Sequence, residues 1–168
     1  MVIFNKIVKI LLFSLVLSSY SWSYAQECPN LVINQLISAN IEPEGVVFEL
    51  AAYESNAWNW ASPKVDQLSK QLKDKYPNVD IAIISHGNEQ FQLTSKNLAK
   101  NQYPVSLLDN LAKNGADIHV CGVNSSWNNV SHDSYIDIVQ VAVSGPAKVN
   151  DYIKLGYQHI RLSKRCQD

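Results

Sequence analysis

The chain has 168 residues, 46% of them hydrophobic and 17% charged, with a formal net charge of −1. That is enough for one domain. Its charges are scattered rather than gathered into the basic face that phosphate binding needs, so no nucleic-acid partner is expected.

The first residues read as an export leader. Lys6 and Lys9 precede an apolar run over 10–17, which is too short to cross a bilayer and is followed by small polar residues. Ser23-Tyr24-Ala25 fits a signal-peptidase site. A signal peptide over 1–25 is therefore expected, with cleavage after Ala25 leaving a single domain over 26–168 that starts at Gln26. Such a protein is periplasmic or secreted and has no membrane anchor once cleaved.

From Gly45 onward, short apolar runs alternate with amphipathic stretches, the pattern of an α/β domain with a parallel sheet and crossover helices. A first strand is predicted over 46–51. Trp58-Asn59-Trp60 falls in the loop after it, where packing of the aromatics outweighs a stacking role for a ligand. Ser62-Pro63 supplies an N-cap and a proline at the first helical position, and Val65, Leu68, Leu72 and Tyr76 recur at helical spacing until Pro77.

A second strand over 79–84 is almost wholly apolar, as in sheets buried on both faces. The stretch 86–103 is a long polar connection, of the kind that is functional or holds a short helix. A helix over 104–114 presents Val105, Leu108 and Leu111 and ends at Gly115. The third strand covers 117–121. A short helical turn over 131–135 leads to a fourth strand over 138–143. Ser144-Gly145-Pro146 opens a helix carrying Val149, Tyr152 and Ile153, which Gly156 ends. The last strand, 157–162, alternates as an edge strand does.

Three cysteines follow the leader: Cys28, Cys121 and Cys166. In an oxidising compartment one pair and one leftover thiol are expected. Three pairings are open, and Cys28 with Cys166 is favoured because both lie near the chain ends, whereas Cys121 ends an apolar strand.

Ligands of open parallel sheets gather beyond the carboxyl ends of the strands. Those positions hold Ala52-Tyr53, then Ser85-His86-Gly87-Asn88, Cys121-Gly122-Val123-Asn124 and Ser144-Gly145. His86 and Cys121 are the reactive residues among them, with Gly87, Asn88, Gly122 and Asn124 as candidate binding positions. The glycine-rich dinucleotide fingerprint, the nucleotide phosphate loop, the serine-hydrolase elbow and the C-x-x-C redox pair are all missing from the sequence. His119 and Cys121 share a strand face, but no third or fourth ligand can be named, so no metal and no cofactor is expected. Gly122 lets the chain turn after Cys121, where successive amide N–H groups can stabilise a thiolate. From spacing alone, the commoner role of such a cysteine is packing.

The run Gly45-Val-Val-Phe-Glu-Leu, the segment Ile83-Ile84-Ser85-His86-Gly87, the stretch from Leu111 through Gly115 to Cys121-Gly122, and Ser144-Gly145-Pro146 leading into Leu155-Gly156-Tyr157-Gln-His-Ile160 together resemble the DsrE/DsrF-like family. The resemblance spans essentially the whole domain after the leader. It implies a three-layer α/β/α fold with a five-stranded parallel sheet, assembled as a homo-oligomer. It also implies that Cys121 sits where sulfur-relay members carry a persulfide, with His86 orienting or deprotonating the thiol, and a sulfur donor or acceptor as partner. After Cys121-Gly122 the chain lacks the arginine-glycine pair common in relay members. The other reading is a non-catalytic small-ligand-binding or assembly module in which Cys121 only packs.

Overall fold

A computed structural model describes residues 28–166, without the side chain of Cys166. The expected leader and its cleavage site lie outside the described residues. Among the described residues no helix is long and apolar enough to cross a membrane.

Five strands form one parallel sheet: β1 (Gly45–Leu50), β2 (Asp80–Ser85), β3 (Asp117–Cys121), β4 (Gln140–Ala142) and β5 (Gln158–Arg161). Their order is β4-β3-β2-β1-β5, so the chain steps outward from β1 to β4 and then returns to lay β5 on the other side of β1. Every pairing is parallel, with Phe48 opposite Ile83 and Ile160, and Ile83 opposite Ile118. All five carboxyl ends therefore face one end of the domain.

Side chains alternate across the sheet. On one face Val46, Phe48, Ile83, Ile118 and Val120 pack under α1 (Pro29–Ala39), α2 (Trp58–Lys75) and α3 (Gln102–Lys113), through Ile33, Val65, Leu68, Leu72 and Leu108. On the other, Val47, Ala82 and Ile84 meet Val149 and Tyr152 of α5 (Gly145–Lys154). The result is a three-layer α/β fold with unequal cover: three helices on one face and, among the described residues, α5 packed on the other. Each fully buried large side chain contributes about 1.5–3 kcal/mol.

The helix predicted from Ser62 begins four residues earlier, at Trp58. The Trp58-Asn59-Trp60 stretch is thus its first turn rather than a loop, and Trp58 is wholly buried. The reason is non-local. The Trp58 N–H donates to Gln92 Oε1 at 2.8 Å, so the helix start is capped from another segment, and Pro63 lies inside the helix, where it has no N–H to give the Asn59 carbonyl. The connection over 86–103 contains two 3-10 helices, Asn88–Leu93 and Ser95–Lys100, and Glu89, Gln90, Gln92 and Thr94 within it are buried. Two helices went unpredicted: α1, with Cys28 at its N-cap, and the short α4 (Gly122–Trp127). β4 spans three residues rather than six. Gly115 and Gly156 end their helices with φ of +87° and +89°, the left-handed turn that favours glycine.

The expected Cys28–Cys166 bond reaches a side chain outside the described residues. Cys28 is disulfide-bonded and Cys121 carries a free thiol. Non-reducing peptide mapping is expected to recover Cys28 linked to Cys166, a closure contributing on the order of 4 kcal/mol in the chain-entropy treatment. A disulfide containing Cys121 would overturn it.

Candidate functional site

The turn after β2 is built around a buried carboxylate. Glu89, with no exposed surface, accepts from Ser85 Oγ at 2.8 Å, from the Gly87 N–H at 3.0 Å and from the Ala52 N–H at 2.8 Å. Burial pushes its carboxyl up, against these hydrogen bonds. Every side-chain and backbone partner named is a donor, so the cradle is shaped for the ionised form. A side chain at Gly87 would run into Ala52 O and the Glu89 carboxylate, which makes glycine a requirement of space rather than of backbone angle. The Asn88 N–H donates to Ala52 O at 2.8 Å and its Nδ2 to Tyr53 O at 3.1 Å, so Asn88 ties the β1 and β2 ends together.

A second carboxylate lies one strand over. Glu49, on β1 and 9% exposed, receives His86 Nε2 on Oε1 and His159 Nε2 on Oε2, each at 2.7 Å, and Arg161 Nε lies 3.9 Å from Oε2. Burial pushes the Glu49 carboxyl up, but the hydrogen bonds and charges of His159 and His86 outweigh it and hold the group well below the usual carboxylate range.

Cys121 closes β3 and is the N-cap residue of α4, 5% exposed. Its peptide group is gripped by the buried Gln90: Oε1 accepts the Cys121 N–H at 3.1 Å, and Nε2 donates to the Cys121 carbonyl at 3.2 Å. The same Nε2 reaches Ser125 Oγ and Tyr135 Oη, both at 3.1 Å. The Asn124 N–H points to Cys121 Sγ at 3.5 Å, and Asn124 Nδ2 donates to the carbonyls of Gly87 at 2.9 Å and His86 at 3.3 Å. The expected run of amides around the sulfur is thinner than the sequence implied, because the Val123 N–H is spent on Val143 O at 3.1 Å. Gly122 is packed against Ala142 O and His132 Nε2.

His86 and Cys121 do come together. Gly145, at the start of α5, lies against the Cβ of both, and a methyl there would overlap His86. They are not hydrogen-bonded to each other: the His86 ring turns to Glu49, so the expected histidine–thiol contact is replaced by a histidine–carboxylate one. Asn124 is the bridge between them. It also lines a cavity of about 310 Å³ with Tyr53, His86, Gly87, Asn88 and Arg161, next to one of about 620 Å³ that shares Arg161.

His119 is engaged on the sheet face toward α5. Its Nε2 lies 3.1 Å from Tyr152 Oη, and no cluster of three suitable ligands occurs among the described residues.

The chain matches no family model and no curated protein. Among solved structures it is similar to MTH1491 from Methanobacterium thermoautotrophicum, described as a protein of unknown function. The TM-score is 0.58 at 19% identity, over 70% of this chain and 97% of that one. That likeness carries the fold.

Glu49, Glu89, Gln90, His159 and Arg161 were missed in the sequence. Glu49 left a signal, a charge inside the apolar strand Val46-Val47-Phe48-Glu49-Leu50, since a carboxylate there needs partners. The others depend on which segments the fold brings to the strand ends.

Proposed function

We propose that this protein, exported and working as a homo-oligomer, carries sulfane sulfur as a persulfide on Cys121. The observation that supports this is the lodging of the Cys121 sulfur, with its own peptide gripped at both ends by Gln90 and an Asn124 N–H directed at Sγ. Cys121 carries a free thiol, and the thiolate of such a residue is the nucleophile in sulfur transfer. In the reaction, the Cys121 thiolate attacks the outer sulfur of a donor such as thiosulfate. A new S–S bond forms, the old bond to that sulfur breaks, and sulfite leaves with the electron pair. No electrons are lost or gained overall, so no cofactor is needed. His86 is a positioning residue: its backbone carbonyl holds Asn124, and its side chain packs beside Cys121 at Gly145.

The binding-module reading has its own support: Cys121 is 5% exposed and the His86 ring is committed to Glu49. One experiment separates the two. Reduced wild type, Cys121→Ser and His86→Ala are incubated with thiosulfate or polysulfide and weighed intact. The wild type is expected to gain one sulfur and Cys121→Ser none, with His86→Ala slower by about tenfold. No gain in the wild type, or an equal gain in Cys121→Ser, hands the assignment to the binding module.

A further inference from the structure

Both arginines of the chain, Arg161 and Arg165, fall on the walls of the two cavities over the carboxyl ends of β5 and β1. Lys164 joins them there, and His86 lines the smaller cavity with Arg161. For a chain with net charge −1 and otherwise scattered charges, this is a local concentration of cations.

The acids nearby are already engaged. Both oxygens of Glu49 accept imidazole nitrogens at 2.7 Å, and Glu54 Oε1 faces Lys164 Nζ at 3.5 Å. Each of these carboxylates therefore already faces a cation or an imidazole. The wall offers donors instead. Arg161, Lys164 and Arg165 supply them. His86 lines the smaller cavity with its Nε2 held by Glu49. Volumes of about 310 and 620 Å³ lie in the range of small-molecule sites.

We propose that these adjoining cavities form a binding site for a small oxyanion, with the Arg161 guanidinium as its principal contact and His86 beside it. Arginine suits this task because its planar fork of donors matches the paired oxygens of a carboxylate or oxoacid. Glu49 acts from below as a positioning residue: by holding the Nε2 atoms of His86 and His159, it fixes both rings under the site. The smaller cavity shares His86 and Asn124 with the surroundings of Cys121, but the cationic side chains of the site have no part in the sulfur-carrier proposal.

The test is a titration of the full-length secreted protein with inorganic phosphate, thiosulfate and acetate at constant ionic strength, read by amide NMR shifts. Saturable shifts at residues 51–54, 86–88 and 161–165 are expected with at least one of the three. Arg161→Gln, checked for its fold by circular dichroism, is expected to weaken binding about tenfold or more, and Arg161→Lys, which keeps the charge but loses the fork, by less. Lys73→Gln, on α2 and away from the site, and Cys121→Ser are both expected to bind as the wild type does. The Cys121→Ser result separates a failed sulfur transfer from a failed anion site. The proposal is overturned if no oxyanion saturates the protein, if chloride gives the same shifts, or if folded Arg161→Gln binds undiminished.

Discussion

Glu89→Ala is expected to cost the fold on the order of 3–5 kcal/mol, because it strips a shared acceptor from three donors. The Ser85 hydroxyl and the Gly87 and Ala52 amides all converge on this carboxylate, which has no exposed surface. Water has little access to replace it, so each donor left behind carries its own desolvation cost. A domain of this size has a total stability of roughly 5–15 kcal/mol, so the loss is a large part of the whole. Glu89→Gln is a stricter probe. It keeps the volume but replaces one acceptor oxygen with an NH2 facing donors, and its loss is expected to be smaller yet still well above that of a surface change. Urea unfolding followed by tryptophan fluorescence reads both. A loss below about 1 kcal/mol for Glu89→Ala would show that the cradle does not hold the turn after β2.

Acid is expected to destabilise the protein partly through Glu49. The carboxyl is held well below its ordinary value of 4.5 in the folded protein, so the folded state binds a proton there less readily than the unfolded chain does. Its stabilising contribution is therefore complete above about pH 4.5 and is lost progressively as pH falls below that value. Glu49→Gln removes this titration. Stability measured by urea at a series of pH values should then fall less steeply below pH 4.5 in the variant than in the wild type. Parallel slopes would mean that the two histidines do not stabilise the carboxylate. The same substitution leaves one acceptor oxygen where there were two, so ring proton shifts of His86 and His159 give a second reading that a merely global change in stability would not produce.

Much of the architecture was legible because period and punctuation agree. Val46 to Leu50 and Ile81 to Ser85 are apolar runs of strand length, Gly115 and Gly156 end the helices before β3 and β5, and Ser144 caps α5 by accepting the Ala147 N–H at 3.5 Å. The start of α2 was misplaced because Gln92, 34 residues away, serves the N–H that a local cap would have served. The segment after β2 looked like a polar loop for the same kind of reason. Glu89, Gln90 and Gln92 are polar because each satisfies backbone groups of other segments, and a sequence read locally does not show which ones. In the site, His86, Cys121 and Asn124 were reachable as strand-end residues of β2 and β3. The partner the His86 ring takes was not, since Glu49 comes from β1 and His159 from β5, 110 residues apart.

The unequal cover of the sheet also sets how the molecule breathes. β1 and β2 lie between helices on both faces, so their hydrogen bonds open only with the whole domain. β4 is a three-residue edge strand with Val141 and Ala142 half-buried and Val143 exposed, and it sits at the low end of the range of opening free energies. Cys121 pairs directly with Ala142 on that strand. Fraying of β4 is therefore expected to loosen the chain at Cys121 while β1, β2 and the helices over them stay folded, so the amides of β3 and β4 should exchange hydrogen sooner than those of β1 and β2.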